Sequence, residues 1–209
     1  MKKILPQALL LTGLALSIST TAFAASDEKK KAPAVMSGAK AEMLANTCAG
    51  CHGFDGVSNG PSTPSIAGMS AEYLAEVLND YKEGENSATI MGRIAKGYSK
   101  DEIKQVAEFY SKKKFVAAKQ EFDSTAAKKG KKLHKKYCEK CHSESGSEAG
   151  DDSGFLSGQW TPYLHATITD FTSGAREMPK KMKKKVKKLM QKEGDDGMKA
   201  LMAYYASQQ

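Results

Sequence analysis

The sequence predicts an all-α chain of two tandem units, each about 90 residues long. Three observations carry that expectation. Cys48 and Cys138 stand 90 positions apart, and the same offset joins Gly68 to Gly158, Tyr73 to Tyr163, Leu74 to Leu164, Asp80 to Asp170 and Gly84 to Gly174. Apolar residues recur at helical spacing, as in Ile103, Val106, Ala107 and Tyr110, and again in Met198, Leu201, Met202 and Tyr205. No segment alternates apolar and polar residues in the manner of a half-buried strand.

The chain opens with Lys2 and Lys3, an apolar run from about Ala8 to Ile18, and Ala22-Phe23-Ala24 in small-x-small form. That is the pattern of a secretory signal peptide over residues 1–24, cleaved after Ala24. The apolar run is too short to span a bilayer, which takes ~20 residues. The product is expected to be exported and periplasmic, with no membrane span once the signal is removed. Residues 25–36 read as a solvated N-terminal tail. The first unit is expected over 37–111. A helix from about Ser37 leads into "TCAGCH", a Gly- and Ser-containing loop follows, a middle helix starts near Ser70, and a terminal helix carries the Ile103–Tyr110 stripe. A linker is expected over 112–122. The second unit, 123–209, repeats the order: Asp123 or Ser124 caps a helix into "YCEKCH", and a middle helix starts near Thr161.

All four cysteines fall in those two Cys-x-x-Cys-His stretches. A zinc site, redox disulfides and covalent haem are the three chemistries that use such pairs. Export weakens the zinc reading and leaves disulfides open. The histidine directly after the second cysteine has a role only in haem attachment, where two thiols add to the porphyrin vinyl groups and the imidazole takes the iron. Positions i, i+3 and i+4 share one helix face, so Cys48, Cys51 and His52 form one set and Cys138, Cys141 and His142 another. Two covalently bound haem c groups are therefore expected. Each unit is small for an independent core, and a buried porphyrin supplies the missing apolar volume.

Methionine is the usual sixth ligand of an electron-transfer haem, because its soft thioether favours the ferrous state. Met91, in "TIMGRIAKGY", lies between the middle and terminal helices and is the candidate in the first unit. Met36, Met43 and Met69 compete from less suitable positions. In the second unit Met178 and Met182 both stand in "REMPKKMKKKV". Met182 and Val186 are four apart and match the helical stripe that follows Met91, which leaves Met178 in the loop position. Met178 is thus favoured over Met182. Pro64 offers a carbonyl to the His52 Nδ1–H, and Gly154 takes the matching place in the second unit. His134 and His165 read as surface or core-edge histidines.

The formal charge is +8, or +6 once Lys2 and Lys3 leave with the signal. Much of it sits in "KKGKKLHKKYCEK" and "PKKMKKKVKKLMQK". Export argues against nucleic acid as the partner. A solvated helix face is one reading of the lysines. The other is a basic surface near the second haem that steers an acidic partner.

The two-domain plan resembles the dihaem cytochromes of class I type. The strings "STPSIAGM", "TIMGRIAKGYS", "KLHKKYCEKCH", "GQWTPYL", "MPKKMKKK" and "YYASQQ" are similar, more narrowly, to the cytochrome subunit of flavocytochrome c sulfide dehydrogenase. The resemblance implies two class I cytochrome c domains, each wrapped around a covalent haem. It also implies a heterodimer in which an FAD-containing subunit oxidises sulfide. This chain would take the electrons and pass them singly to a small soluble acceptor. FAD is expected only on the partner. With His and Met on each iron, no position is open for substrate, so no catalytic residue is expected in this chain. A free-standing dihaem carrier feeding a terminal oxidase is the alternative. A dihaem peroxidase would need an open haem.

Overall fold

The computed structural model describes residues 38–150 and 153–209. The expected signal peptide, the tail and Met36 lie outside the described residues. The first unit holds α1 (Ala41–Asn46), α2 (Ala49–His52), α3 (Ala71–Glu83), α4 (Met91–Ala95) and α5 (Lys100–Ser111). The second holds α6 (Ser124–Tyr137), a 3-10 turn at Glu144–Gly146, α7 (Thr161–Ser173) and α8 (Lys180–Ala206). Among the described residues there are no strands, only an isolated bridge between Gly150 and Ser153. None of the described helices is long and apolar enough to cross a membrane.

Local chemistry sets most helix ends. Ser70 Oγ accepts from Tyr73 N at the start of α3, and Asp123 accepts from Thr125 N and Ala126 N at the start of α6. Ser99 and Glu102 form a reciprocal capping box on α5. The two middle helices, α3 and α7, both end on a left-handed glycine, Gly84 and Gly174, each at φ 84. One boundary differs from the sequence reading. The helix expected from about Ser37 begins at Ala41, because Gly38 takes φ 81 and Lys40 stays extended. α8 is bent at Gly194, where φ 60 and ψ −159 interrupt the helix.

Each unit has its own core. In the first, Leu44, Met69, Leu74, Val106, Ala107 and Tyr110 bring α1, α3 and α5 together. In the second, Leu133 and Tyr137 of α6 pack on Leu189, Leu201, Met202, Tyr204 and Tyr205 of α8. Burying each large apolar side chain contributes about 1.5–3 kcal/mol. Gly130 lets α6 and α8 approach closely, since a Cβ there would fall on the Ala200 carbonyl.

The repeat survives in the backbone. Gly56 O accepts from Ile66 N and Ala67 N, and 90 residues on Gly146 O accepts from Leu156 N and Ser157 N. Gly68 N donates to Tyr110 O and Gly158 N to Tyr205 O, both at 2.9 Å.

Candidate haem sites

Both cysteine motifs are wound into single turns. His52 N bonds Cys48 O at 2.9 Å and His142 N bonds Cys138 O at 3.0 Å. No disulfide joins the four cysteines; Cys48 and Cys138 are half-buried, and Cys51 and Cys141 are exposed. Among the described residues, no three His, Cys, Asp or Glu side chains gather where a bare ion would bind. The two pairs therefore do not converge on a joint zinc site. The donor set fits haem instead: paired thiols for thioether bonds and a following imidazole on each turn.

In the first unit His52 is buried, and its Nδ1 lies 2.8 Å from Pro64 O. A carbonyl only accepts, so Nδ1 carries the proton and Nε2 keeps its lone pair. Burial lowers the imidazole pKa, with the Pro64 carbonyl opposing it, so the ring is held neutral as a metal ligand requires. The turn is braced from three sides. Thr47 Oγ1 bonds Leu44 O at 2.6 Å and reaches the Tyr98 hydroxyl. Lys82 Nζ donates to Tyr98 O, and Tyr110 OH donates to Ala45 O at 2.8 Å. Met91 opens α4 and is half-buried. Ile90 and Ile94 beside it are exposed.

In the second unit α6 ends at Cys138. His134, one turn earlier, is 1% exposed, so the expectation of a surface or core-edge residue is corrected: it is fully in the core. The +90 repeat places it where the first unit has Leu44. Its Nδ1 lies 2.9 Å from Tyr205 OH. Its Nε2 lies 2.7 Å from Glu139 Oε2, in ion-pair range but not aligned as a hydrogen bond. Burial lowers the His134 pKa, with Glu139 acting in the opposite sense. Burial likewise pushes the Tyr205 hydroxyl well up. His165, by contrast, is exposed. Met178 is half-buried in the loop between α7 and α8, and Pro179 caps α8. Met182 sits on the first turn of α8, on one stripe with Val186 and the buried Leu189.

Several contacts join the two units. The Gln159 side chain pairs with both backbone polar groups of Ser65, Oε1 accepting from Ser65 N and Nε2 donating to Ser65 O, each at 2.9 Å. Trp160 Nε1 donates to Ser58 O at 3.1 Å, and its ring lies against Gly60, where any Cβ would collide with it. Phe155 of the second unit stacks on Phe115 at 4.1 Å and packs on the first core. Arg176 lies near Tyr73, Tyr163 and Tyr81, and stacks on Phe171 at 4.6 Å. No carboxylate among the described residues forms an ion pair with it. Sequence reasoning missed this interface. The available signal was Gln159, a polar residue where the repeat has the apolar Met69.

The family comparisons agree with that geometry. Residues 37–112 match the family model described as cytochrome c. Residues 125–204 match that of cytochrome c oxidase, cbb3-type, subunit III. The crystal structure of reduced recombinant cytochrome c4 from Pseudomonas stutzeri superposes with a TM-score of 0.68 at 25% identity, covering 81% of this chain and 97% of that one. A curated cytochrome c4 from Stutzerimonas stutzeri is 31% identical over 149 residues, 62% of this chain and 69% of that protein. This chain belongs to the dihaem c-type cytochromes. It is an electron carrier with two covalently bound haem c groups, one for each Cys-x-x-Cys-His motif. The cytochrome subunit of sulfide dehydrogenase from Chlorobaculum tepidum is 48% identical over 71 residues, 34% of this cytochrome and 64% of that protein. The narrower likeness read from the sequence is thus met by a relative of that name, over less than two thirds of the relative's length.

Proposed function

We propose that this cytochrome is the periplasmic electron-accepting subunit of a sulfide-oxidising complex, paired with an FAD-containing subunit. The 48% identity to a sulfide dehydrogenase cytochrome subunit is the observation that carries this reading. Residues 1–24 serve as the signal peptide, 25–36 as a tail, 37–111 and 123–209 as the haem domains, and 112–122 as the linker.

Cys48 and Cys51 hold the first haem and Cys138 and Cys141 the second, with His52 and Met91, and His142 and Met178, as axial ligands. When bound, each haem supplies a one-electron iron couple. His52 presents Nε2 because Pro64 takes Nδ1–H. Among the described residues the half-buried Arg176 has no ion-pair partner, and beside Tyr73 and Tyr163 its guanidinium would suit a haem propionate carboxylate. Two one-electron sites in one chain match a donor that releases two electrons and an acceptor that takes one.

Native purification from the source tests the reading. A flavoprotein that copurifies in fixed ratio, and sulfide-dependent reduction of the pair, are expected. A single haem-only chain that sulfide does not reduce would instead support a free-standing dihaem carrier feeding a terminal oxidase. The longer match to cytochrome c4 favours that second reading.

A further inference from the structure

The carbonyl that orients His52 belongs to Pro64, and the next residue, Ser65, is gripped from the other domain. Ser65 is 1% exposed. Its own domain holds only its side chain, through Ser58 N to Ser65 Oγ at 3.1 Å. Its N–H and C=O are both taken by the Gln159 carboxamide. Gln159 is itself 0% exposed, and its Oε1 also accepts from Trp160 N at 3.1 Å. Ser65 N can only donate and Ser65 O only accept, so the amide orientation is fixed by the network. A single side chain thus completes a two-bond backbone pair across the domain boundary, one residue from the axial histidine's partner.

The geometry points to Gln159 as a positioning residue for the first haem: from the second domain, it holds the Pro64 carbonyl against His52. The grip runs one way. By the repeat, Met69 occupies the place of Gln159 and Gly154 that of Pro64, and there the contact is apolar, with Met69 beside Gly154. A firm Nδ1–H···O=C bond makes imidazole a stronger donor and favours the ferric iron. Gln159 therefore keeps the first haem's potential lower than that domain alone would set it. This inference rests on His52 as axial ligand.

The test uses the holoprotein. Gln159→Met keeps the volume and removes both bonds. Gln120→Leu is the control: Gln120 bonds Gln159 O and Thr161 N and does not touch Ser65. Gln159→Met is expected to raise the first haem's midpoint potential, by up to about tenfold in its ferric-to-ferrous ratio (about 59 mV for one electron), and to shift the His52 Nδ1–H resonance. The second haem should keep its potential, and Gln120→Leu should move neither. Equal shifts at both haems, or a lower melting temperature with no change in potential, would overturn the proposal. In the unaltered protein the Ser65 amide should exchange slowly; exchange as fast as an open loop also overturns it, without any variant. Absence of a ring-current-shifted His52 signal in the unaltered protein would instead refute the ligand assignment.

Discussion

The two domains share a backbone and differ in what fills it. At equivalent positions, Leu44 is a 0% exposed apolar residue and His134 a 1% exposed imidazole. The final tyrosines follow suit: Tyr110 bonds a main-chain carbonyl, while Tyr205 bonds that imidazole. Outside, the contrast continues. Residues 37–111 hold ten acidic against six basic residues, and residues 123–209 eleven against seventeen. Large exposed apolar side chains, Met43, Phe54, Ile90 and Ile94, belong to the first domain and none to the second among the described residues. The lesson is that the repeated hydrogen bonds of the haem loops are indifferent to side chains. Each domain has therefore been free to acquire its own polar network and its own surface.

The largest expected effect tests the two methionines proposed as axial ligands. Met178→Ala should leave the second iron open or captured by a substitute, with loss of the low-spin spectrum of one haem in two. Met91→Ala should do the same to the other haem. Met182→Ala should cost core packing alone and leave both spectra intact. If Met182→Ala opens the iron and Met178→Ala does not, Met182 and not Met178 is the ligand.

A smaller effect is expected at the His134 network. His134→Leu makes the second domain resemble the first but strands the Tyr205 hydroxyl in the core. That should destabilise the protein by about 1–3 kcal/mol. Adding Tyr205→Phe removes the stranded partner and should recover part of the loss. Denaturant titration of the single and double variants gives the coupling; strictly additive costs would mean that the pair does not interact.

The smallest structural effect, and the most informative about surfaces, concerns Lys184 and Lys188. Both are exposed and lie on the basic start of α8. Replacing the two with Glu should hardly change the melting temperature. It should slow reoxidation by an acidic acceptor at low salt, and the difference should shrink as the Debye length falls from ~30 Å at 0.01 M to ~8 Å at 0.15 M. A rate indifferent to both changes would assign the lysines to solvation.

Much of this molecule is legible in its sequence because its strongest signals are local. Cysteine spacing, caps such as Ser70 and Asp123, and the Ile103–Tyr110 stripe all act within a few residues of themselves, and the 90-residue offset merely repeats such local patterns. Pro64 was also legible, since proline shortly after the motif places a carbonyl within reach of His52. His134 was not: a lone histidine on a lysine-rich helix looks exposed until Tyr205, 71 residues away, fills its other side. Gln159 was hidden for the same reason, its partner Ser65 being 94 residues distant.

The linker has a consequence of its own. Lys113 pairs with Asp55 at 2.8 Å, and Phe115 stacks on Phe155. Ala118 N bonds Gly158 O at 2.7 Å, and Gln120 exchanges hydrogen bonds with Gln209. A segment so held is less a tether than a strip of wall shared by two rooms. Scission after the exposed Lys119 would sever the chain but not the molecule, because Gln159, Trp160 and Phe155 all grip the first domain without it. The halves would travel as one species through a sizing column. A second half given its own export signal should likewise assemble with the first around both haems.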